Sequence, residues 1–501
     1  MLAQVLGIVR EIFLASQVGV SGDLDALLIA LALPAALAAA ITSGTTRALV
    51  PAYMDALESG GREDARQLAG TVLGWTGLAG VTTWLALVAF AGPMISVAGP
   101  GLTLEGRVSA TAYLALLAPM AFIGAISAIM AAICQAAERF HTLAVATFAG
   151  SAANLAAMLL LWPRLGLTAF AVANIAGPVV SLVILVASCV RGSLMPMPVP
   201  RRDVRLRPLI RHAAPIALSA AILQLNVIGD RAIASLLGPG AVSALRYADV
   251  LVRAPIGAIG PAWGSAIFPA LVRSTYGKAG ANLADGAERA LRYMIAIFVP
   301  ITMLTMAVAP VAVSVAFGRG AFAAQDVNVT AAALAGFAPL LVIVMMLTVL
   351  TGAHNARRRG QLLLVGGTIN VVLNIALDLL LGRLLGVAGI ALASSISQGV
   401  VTMLFLVRLS RSEDPFRLRP LARTFVLAML ASTPVAVATA ILAWTGVLPH
   451  DTFQGGAILA VVGVMGGMGY LTTAAVIGMA EPKAMALVAL NWLRLRRKLR
   501  P

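Results

Sequence analysis

Charged residues are scarce in this chain of 501 residues, at 11%, against about 25% in soluble domains. Hydrophobic residues make up 60% of it, and the mean hydropathy is +0.95. A soluble globular protein is therefore excluded, and the composition is that of an integral membrane protein. Aromatic residues are scarce too, at 5%. Its membrane spans must therefore consist mostly of Ala, Leu, Val and Gly, which lets helices pack closely.

Residues that bind metals or form disulfides are also few. The chain has two cysteines, Cys134 and Cys189, and four scattered histidines, which favours neither a disulfide framework nor a transition-metal site. No cluster of His and Glu marks a metal-dependent enzyme at the membrane surface, which disfavours a membrane-bound glycan transferase. The first apolar run has an arginine in its middle and no basic leader, so we expect no cleavable signal peptide.

Fourteen apolar segments have roughly the length of a membrane-spanning helix. They lie at about 1–17, 24–54, 67–92, 108–134, 142–162, 167–190, 208–237, 243–271, 290–316, 327–352, 361–381, 385–407, 421–445 and 456–479. The sequence therefore predicts an all-α polytopic membrane protein with about 14 transmembrane helices. The first segment is short for a bilayer core of about 30 Å. We expect natural residues upstream of it, and a tilted neighbour or a thin bilayer is the alternative.

Acidic residues are few as well, 20 against 36 basic ones, which gives a net charge of +16. Twenty-seven of the basic residues fall on every second connection or on the tail at 480–501. The positive-inside rule then predicts that both termini are cytoplasmic. The basic surplus indicates contact with anionic lipid at the bilayer surface and no nucleic-acid partner.

The chain repeats itself at an offset of about 220 residues. Four unlike residues, Pro119, Arg139, Asn154 and Gly166, recur as Pro339, Arg359, Asn374 and Gly386. Each repeat contains six spans, an even number, so the two copies share one orientation in the membrane. We predict two pseudo-symmetric six-helix lobes plus two C-terminal helices. The parts are an N-lobe at 1–190, a basic cytoplasmic linker at 191–211, a C-lobe at 208–407, spans 13 and 14 at 421–479, and a basic cytoplasmic tail at 480–501.

Five arginines lie inside predicted spans, all in the first two spans or in the repeat-related seventh and eighth. They are Arg10, Arg47, Arg231, Arg246 and Arg253. Because a charge costs about 2.5 kcal/mol or more at a bilayer centre, we expect these side chains to face a cavity between the lobes. The alternative is that each pairs with a nearby carboxylate. The same spans hold only four of these: Glu11, Asp25, Asp230 and Asp249.

Longer runs of residues are typical of one known family. They are LGIVREIFLASQVGVSGDLDALLIALALP at 6–34, SGTTRALVPAY at 43–53, APIALSAAILQLNVIGDRAIASLL at 214–237, VSALRYADVLVRAPIGAIGPAWGSAIFP at 242–269, FGRGAFAAQD at 317–326 and NVVLNIALDLLLGRLLGVAGIALASS at 370–395. In their order and spacing over the whole chain they resemble the MurJ/MviN lipid II flippases of the MOP transporter superfamily.

The resemblance implies a transporter and not an enzyme. Its substrate would be a polyprenyl-diphosphate-linked saccharide, foremost the peptidoglycan precursor lipid II. The protein would move it from the inner to the outer leaflet of the bacterial cytoplasmic membrane by alternating access. Spans 13 and 14 would offer an apolar groove for the lipid tail. The alternatives are a flippase for another undecaprenyl-linked precursor and a MATE-like exporter, although an arginine-lined cavity would repel cationic cargo.

The arginines inside spans and the resemblance together predict a substrate site, in which Arg10 and Asp25 match the family's pattern. Its predicted residues are Arg10, Asp25, Arg47, Arg246, Asp249 and Arg253. Among these, Arg10, Arg246 and Arg253 form the predicted diphosphate site, because guanidinium groups bind phosphate oxygens bidentately. The family's arginines are replaced here by Ala38, Ala39 and Val250. Arg246 and Arg253 lie on the helix face of Val250 and are candidates to supply the missing charge. These departures are why another undecaprenyl-linked glycan stays open.

A second predicted site binds a coupling ion. Asn374 and Asp378 are four residues apart on one helix face, and a buried Asp is costly unless a proton, a cation or a partner neutralises it. By resemblance, a sodium site is formed by Asp230, Asn374, Asp378, Ser394 and the carbonyl of Ile390. The alternative is a structural Asp378 that is hydrogen-bonded to Asn374 or paired with an arginine. We expect no covalent cofactor, a monomer, and cell-wall synthases as partners.

Overall fold

The computed structural model describes residues 2–201, 203–257, 283–357, 360–411, 417–444, 452–479 and 481. Within these ranges the secondary structure is helical, without β-strands. The helices are α1 (Leu2–Val18), α2 (Gly22–Ala89), α3 (Ala91–Ala98), α4 (Leu104–Leu117), α5 (Pro119–Ala136), α6 (Phe140–Leu165), α7 (Thr168–Arg191), α8 (Leu206–Ser235), α9 (241–257), α10 (Leu283–Phe317), α11 (Ala324–Phe337), α12 (Leu340–Ala356), α13 (Gly360–Leu385), α14 (Val387–Ser410), α15 (Leu418–Trp444) and α16 (Thr452–Val476).

Eleven of the described helical segments are long and apolar enough to cross a membrane. One of them, α2, covers the predicted second and third spans, which Gly61 separates with a positive φ of 78°. The first predicted span corresponds to the shorter α1, and the described part of the eighth is α9. The predicted spans therefore agree with the helices wherever the structure describes them, and the all-α polytopic class is confirmed. The remainder of span eight (258–271) and the tail at 480–501, apart from Glu481, lie outside the described residues.

Backbone geometry confirms the internal repeat. Helices α4 and α11, and likewise α6 and α13, begin and end at residues 220 apart. The turns that follow α6 and α13 have nearly the same conformation, with φ/ψ of 51°/−130° at Gly166 and 61°/−137° at Gly386. A positive φ is readily adopted only by glycine, so the recurrence of this residue reflects a backbone requirement of both turns.

Contacts divide the chain into two units. The first comprises Met1–Leu14 and Val20–Ser243, and the second comprises Ala15–Gly19 and Ala244–Pro501. In the first unit, α2 packs on α5 and α8, and α6 packs on α7; in the second, α10 packs on α15 and α13 packs on α14. The predicted lobes were defined by equivalent residues of the repeat, whereas these units are defined by contacts. The lobe boundaries therefore stay a prediction.

Small residues allow helices of the first unit to approach closely. A Cβ atom added to Gly124 in α5 would lie 2.9 Å from the Cβ of Ala38 in α2, which is closer than real Cβ contacts. The buried core of the unit includes Leu49, Tyr53 and Ile133 from the same two helices. This packing is the structural counterpart of the low aromatic content of the spans.

The described part of the basic linker is fixed to α2. The amide of Val199 donates to the carbonyl of Gly70 at 3.2 Å. The Arg205 guanidinium lies 2.6 Å from a carboxylate oxygen of Asp64 and 2.8 Å from one of Asp203. The hydrogen bond from Arg205 holds the pKa of the Asp203 carboxyl below its usual range. The linker therefore carries an ionic contact that depends on pH.

Candidate substrate and cation sites

Arg10 lies in α1 and is held by side chains of its own unit. Its Nη2 atom donates to Oε1 of Glu11 at 2.7 Å, and its Nη1 atom lies 3.2 Å from Oδ1 of Asn154 and 3.5 Å from Oδ1 of Asn174. The Phe170 ring centroid is 5.1 Å from the guanidinium carbon, within cation–π range. The Arg10 side chain is 17% exposed and that of Glu11 is 2% exposed. Of the pairings considered for Arg10, the one with Glu11 is thus formed.

Asp25 is buried at the start of α2 and accepts hydrogen bonds from the beginning of α9. The amide of Gly240 donates to Oδ2 of Asp25 at 2.6 Å, and the amide of Ser243 donates to Oδ1 at 2.7 Å. The carboxylate thus caps the N-terminus of a helix, where unpaired amides and the helix dipole favour a negative charge. Its role as a substrate ligand stays a prediction.

The other predicted arginines differ in exposure. Arg47 is exposed in α2, and Arg253 is 66% exposed in α9, where its Nε atom lies 2.6 Å from Oδ1 of Asp249. Arg246, in the same helix, is partly buried. Arg231 in α8 donates to the backbone carbonyl of Leu28. Hence Arg47 and Arg253 present guanidinium groups to the surroundings of their own units.

The predicted ion site divides between the two units, with Asp230 in the first and the other four residues in the second. In the second unit, Asn374 donates to Oδ2 of Asp378 at 2.8 Å, and Ser397 donates to Oδ1 of Asn374 at 2.9 Å. Asp378 and Ile390 are fully buried, and Ser394 is 8% exposed. These groups offer oxygen donors, which suit a hard cation. The described residues include no group of three His, Cys, Asp or Glu side chains fit for a metal ion.

An apolar pocket opens between α10, α15 and α16 of the second unit. Its volume is about 470 Å³, and its lining includes Pro300, Leu304, Val435 and Gly467. The predicted groove for the lipid tail involved the two C-terminal spans, and the pocket adds α10 to them. A bundle of small and aliphatic side chains of this kind accommodates hydrocarbon and offers few hydrogen-bond partners.

Several residues of these clusters were not predicted from sequence. They are Asn174 and Phe170 beside Arg10, Ser397 beside Asn374, and the α10 wall of the pocket. A signal for Asn174 was present, because Ser394 was predicted as an ion ligand and lies 220 residues after Asn174. Applying the repeat offset to every predicted ligand finds this residue.

Comparison with known proteins covers nearly the whole chain. The family model described as lipid II flippase MurJ matches residues 14–465. A probable lipid II flippase MurJ of Thermotoga maritima is 25% identical over 421 residues, which is 82% of this chain and 84% of that protein. A protein of the same description from Vibrio cholerae is 25% identical over 419 residues, 79% of this chain and 78% of that one.

Solved structures show the same fold. A lipid II flippase MurJ in an inward closed conformation superposes with a TM-score of 0.79 at 19% identity, covering 95% of this chain and 96% of that chain. An inward-facing multidrug MATE transporter of the MOP superfamily superposes with a TM-score of 0.66 at 17% identity, covering 81% and 94%. With fourteen predicted spans, an internal repeat and a family match that extends through both repeats, the chain belongs to the lipid II flippase MurJ family of transporters.

Proposed function

We propose that this protein is a flippase that carries lipid II across the bacterial inner membrane, from the inner to the outer leaflet, by alternating access. The observation that carries the proposal is the extent of the family match, which includes both repeats and most of α16. The family is one of transporters, so the membrane-bound glycan transferase is set aside. The MATE-like exporter shares the fold, but its match rests on lower structural similarity.

Exposed arginines support binding of the substrate diphosphate. Arg47 and Arg253 carry guanidinium groups on spans and not on connections, and a guanidinium binds two phosphate oxygens at once. A diphosphate would compete with Asp249 for Arg253, which gives the pair a role in releasing the substrate. Arg246, seven residues earlier and thus about two turns away, adds charge to the same helix. Arg10 is already engaged by Glu11 and two asparagines, so a phosphate would have to displace those acceptors.

The apolar pocket supports binding of the polyprenyl tail. Its walls come from α10, α15 and α16, and its volume of about 470 Å³ holds a segment of the chain and not the whole of it. Gly467 lines the pocket, and a Cβ atom added there meets no atom within 4 Å. A larger residue at this position would therefore fill the pocket without disturbing the packing of the helix.

Sodium is the coupling ion in our proposal. Within the second unit, Asp378, Asn374, Ser394 and the carbonyl of Ile390 would hold it, and the part of Asp230 stays a prediction from the resemblance. The proposal is supported by donor chemistry, because Asp378 is a fully buried carboxylate that accepts from the Asn374 amide, and carboxylate, amide and hydroxyl oxygens suit a hard cation. The ion would neutralise Asp378, and binding of sodium would then depend on the conformation of the transporter. If flipping ran unchanged without sodium and in the Asp378→Asn variant, this coupling would be excluded.

Both termini are cytoplasmic in our proposal, because most basic residues lie on every second connection. Fusions of alkaline phosphatase and of green fluorescent protein to the C-terminus report this directly. Fluorescence without phosphatase activity is expected, and the reverse would refute the orientation. The monomeric state and a partnership with cell-wall synthases stay predictions.

A flippase for a different undecaprenyl-linked glycan is the second candidate. It is favoured by Ala38, one of the positions where the resemblance leads us to expect an arginine. Ala38 lies at the contact of α2 with α5, where a Cβ atom added to Gly124 would be 2.9 Å from the Ala38 Cβ atom. The charge available to the substrate is therefore reduced, which would suit a different headgroup.

Complementation separates these functions. Cells depleted of their own lipid II flippase should grow when they express this chain, and reconstituted vesicles should move labelled lipid II without covalent change.

Arg253→Gln should reduce growth and transport, while Arg164→Gln, at an exposed position of α6, should not. Gly467→Phe should impair transport by filling the pocket, with Gly77→Phe as the control, since Gly77 also has no neighbour within 4 Å. The second candidate would be favoured if the wild-type chain were expressed normally, did not restore growth, and moved another glycan lipid in vesicles.

A further inference from the structure

Two thiols of the first unit meet near the C-terminal ends of α5 and α7. Cys134 and Cys189 are 55 residues apart in the chain, yet their Sγ atoms lie 3.8 Å apart and both side chains are fully buried. Metal–sulfur bonds of about 2.3 Å place two ligand sulfurs about 3.8 Å apart in a tetrahedral complex and about 4.0 Å apart in a trigonal one. The pair therefore has the separation of two ligands of one metal ion.

The backbone ends both helices in the same way. The amide of Arg139 donates to the carbonyl of Cys134 at 2.8 Å, and the amide of Leu194 donates to the carbonyl of Cys189 at 2.8 Å. These are Schellman turns, and the residue before each donor has a positive φ, 56° and 54°, although neither is a glycine. Each cysteine thus lies in the last turn of its helix, where the helix dipole favours a positive charge.

The surroundings of the two thiols are apolar and rich in sulfur. Met130 lies one turn before Cys134 on the same face of α5 and is fully buried. Ile133 and Leu185 belong to the same core as both cysteines. Thiolate and thioether ligands select soft ions such as Cu(I), whereas sodium, magnesium and calcium take oxygen ligands. The cluster therefore suits a soft cation.

A guanidinium beside the thiols can balance the charge of such a complex. Nη1 of Arg139 donates to the carbonyl oxygen of Ser188 at 2.6 Å and lies 3.1 Å from its Oγ atom, and Ser188 is adjacent to Cys189 in the chain. Binding of Cu(I) would release both thiol protons to water and form a singly negative complex. Arg139 compensates that charge, whereas a divalent ion would leave an excess positive charge in a buried site. Tyr53 of the same core has a buried hydroxyl without a hydrogen-bond partner among the described residues, and it adds an O–H donor for a thiolate.

We propose that Cys134, Cys189 and Met130 form a three-sulfur site for the soft monovalent cation Cu(I). The bound ion joins the end of α5 to the end of α7, two helices that already pack on each other. No electron is transferred, since Cu(I) only replaces the two thiol protons. The site uses none of the residues assigned to lipid II or to sodium, so it stands independently of the proposed function.

Competition for Cu(I) tests the proposal. The full-length protein is purified in detergent without oxygen, and Cu(I) is supplied as its complex with bathocuproine disulfonate, whose colour reports how much copper the protein removes. One Cu(I) per chain is expected, together with a new thiolate-to-copper absorption in the near ultraviolet. Cys134→Ser and Cys189→Ser should each weaken the affinity about a hundredfold or more, because the remaining thiol loses a partner held at high effective concentration. Tryptophan fluorescence during thermal unfolding without metal checks that each variant is folded.

The thioether ligand has a matched control. Met130→Leu should weaken Cu(I) binding about tenfold, whereas Met158→Leu, which also replaces a fully buried methionine of the first unit, should not. Equal affinities of these two variants would overturn the three-sulfur site. The proposal would also be overturned if each single cysteine variant kept the wild-type affinity, or if the folded wild type with reduced thiols took no copper from the chelator. If a serine variant is not recovered folded, Cys134→Ala and Cys189→Ala take its place with the same expected loss. The assay uses no lipid substrate, so failure of the flippase assignment would leave its result unchanged.

Discussion

Replacement of Asp25 should destabilise the first unit in a graded manner. Each carboxylate oxygen accepts from a different amide, at 2.6 Å from Gly240 and 2.7 Å from Ser243. Asp25→Asn keeps one acceptor and turns its NH₂ group toward the other amide, so one charge-assisted bond is lost, at about 2–3 kcal/mol. Asp25→Ala leaves both amides of the helix start without this acceptor, at about 3–5 kcal/mol.

Thermal unfolding is followed by the reaction of the buried Cys134 and Cys189 with a thiol dye, and it ranks these variants against the wild type. The order expected is wild type, then Asp25→Asn, then Asp25→Ala, in detergent and without any substrate. A residue that served only to bind the substrate would leave the unfolding temperature unchanged while transport failed. Asp25→Asn with wild-type stability would therefore refute the capping role and return Asp25 to the substrate site.

Two further predictions concern the linker that packs on α2. Gly70→Ala should release it, because the added Cβ atom would lie 2.1 Å from the carbonyl oxygen of Met197, whereas Gly77→Ala meets nothing within 4 Å. Faster tryptic cleavage of the linker in Gly70→Ala than in Gly77→Ala checks this, and equal rates would contradict it. The ion pair of Asp203 with Arg205 should protect the linker at neutral pH and fail in acid. Since the folded pKa of Asp203 is depressed, this stabilisation is present above its unfolded pKa and is lost as the pH falls through the folded pKa. Asp203→Asn should be cleaved faster than the wild type by trypsin at neutral pH and equally fast by pepsin in acid, and a difference independent of pH would argue against the pair.

Most of the fold could be predicted because its signals are local. A span is a run of about 20 apolar residues, and such a run is visible without any tertiary information. The break between the second and third spans coincides with the Gly-Gly pair at 60–61. The turns after α6 and α13 coincide with the recurring Gly166 and Gly386. The division of the fourth span into α4 and α5 was not predicted, although Pro119 at the start of α5 is a recognised helix-start residue.

The partners of the charged residues could not be predicted in the same way. Arg10 contacts Asn154 and Asn174, which are 144 and 164 residues away along the chain. Hydrophobic periodicity indicates which face of a helix is buried, but it does not indicate which polar side chain of another helix lies opposite. The adjacent Glu11 was foreseen because neighbouring residues are close in any fold. The donors to Asp25 are backbone amides, which no residue type identifies.

A repeat nevertheless carries tertiary information that a single copy lacks. If two copies fold alike, a residue assigned a role in one copy identifies a position of equal geometry in the other. The offset leads from Asp378 to Met158, and from Gly229 to Arg10, so each copy marks where the other has changed its chemistry.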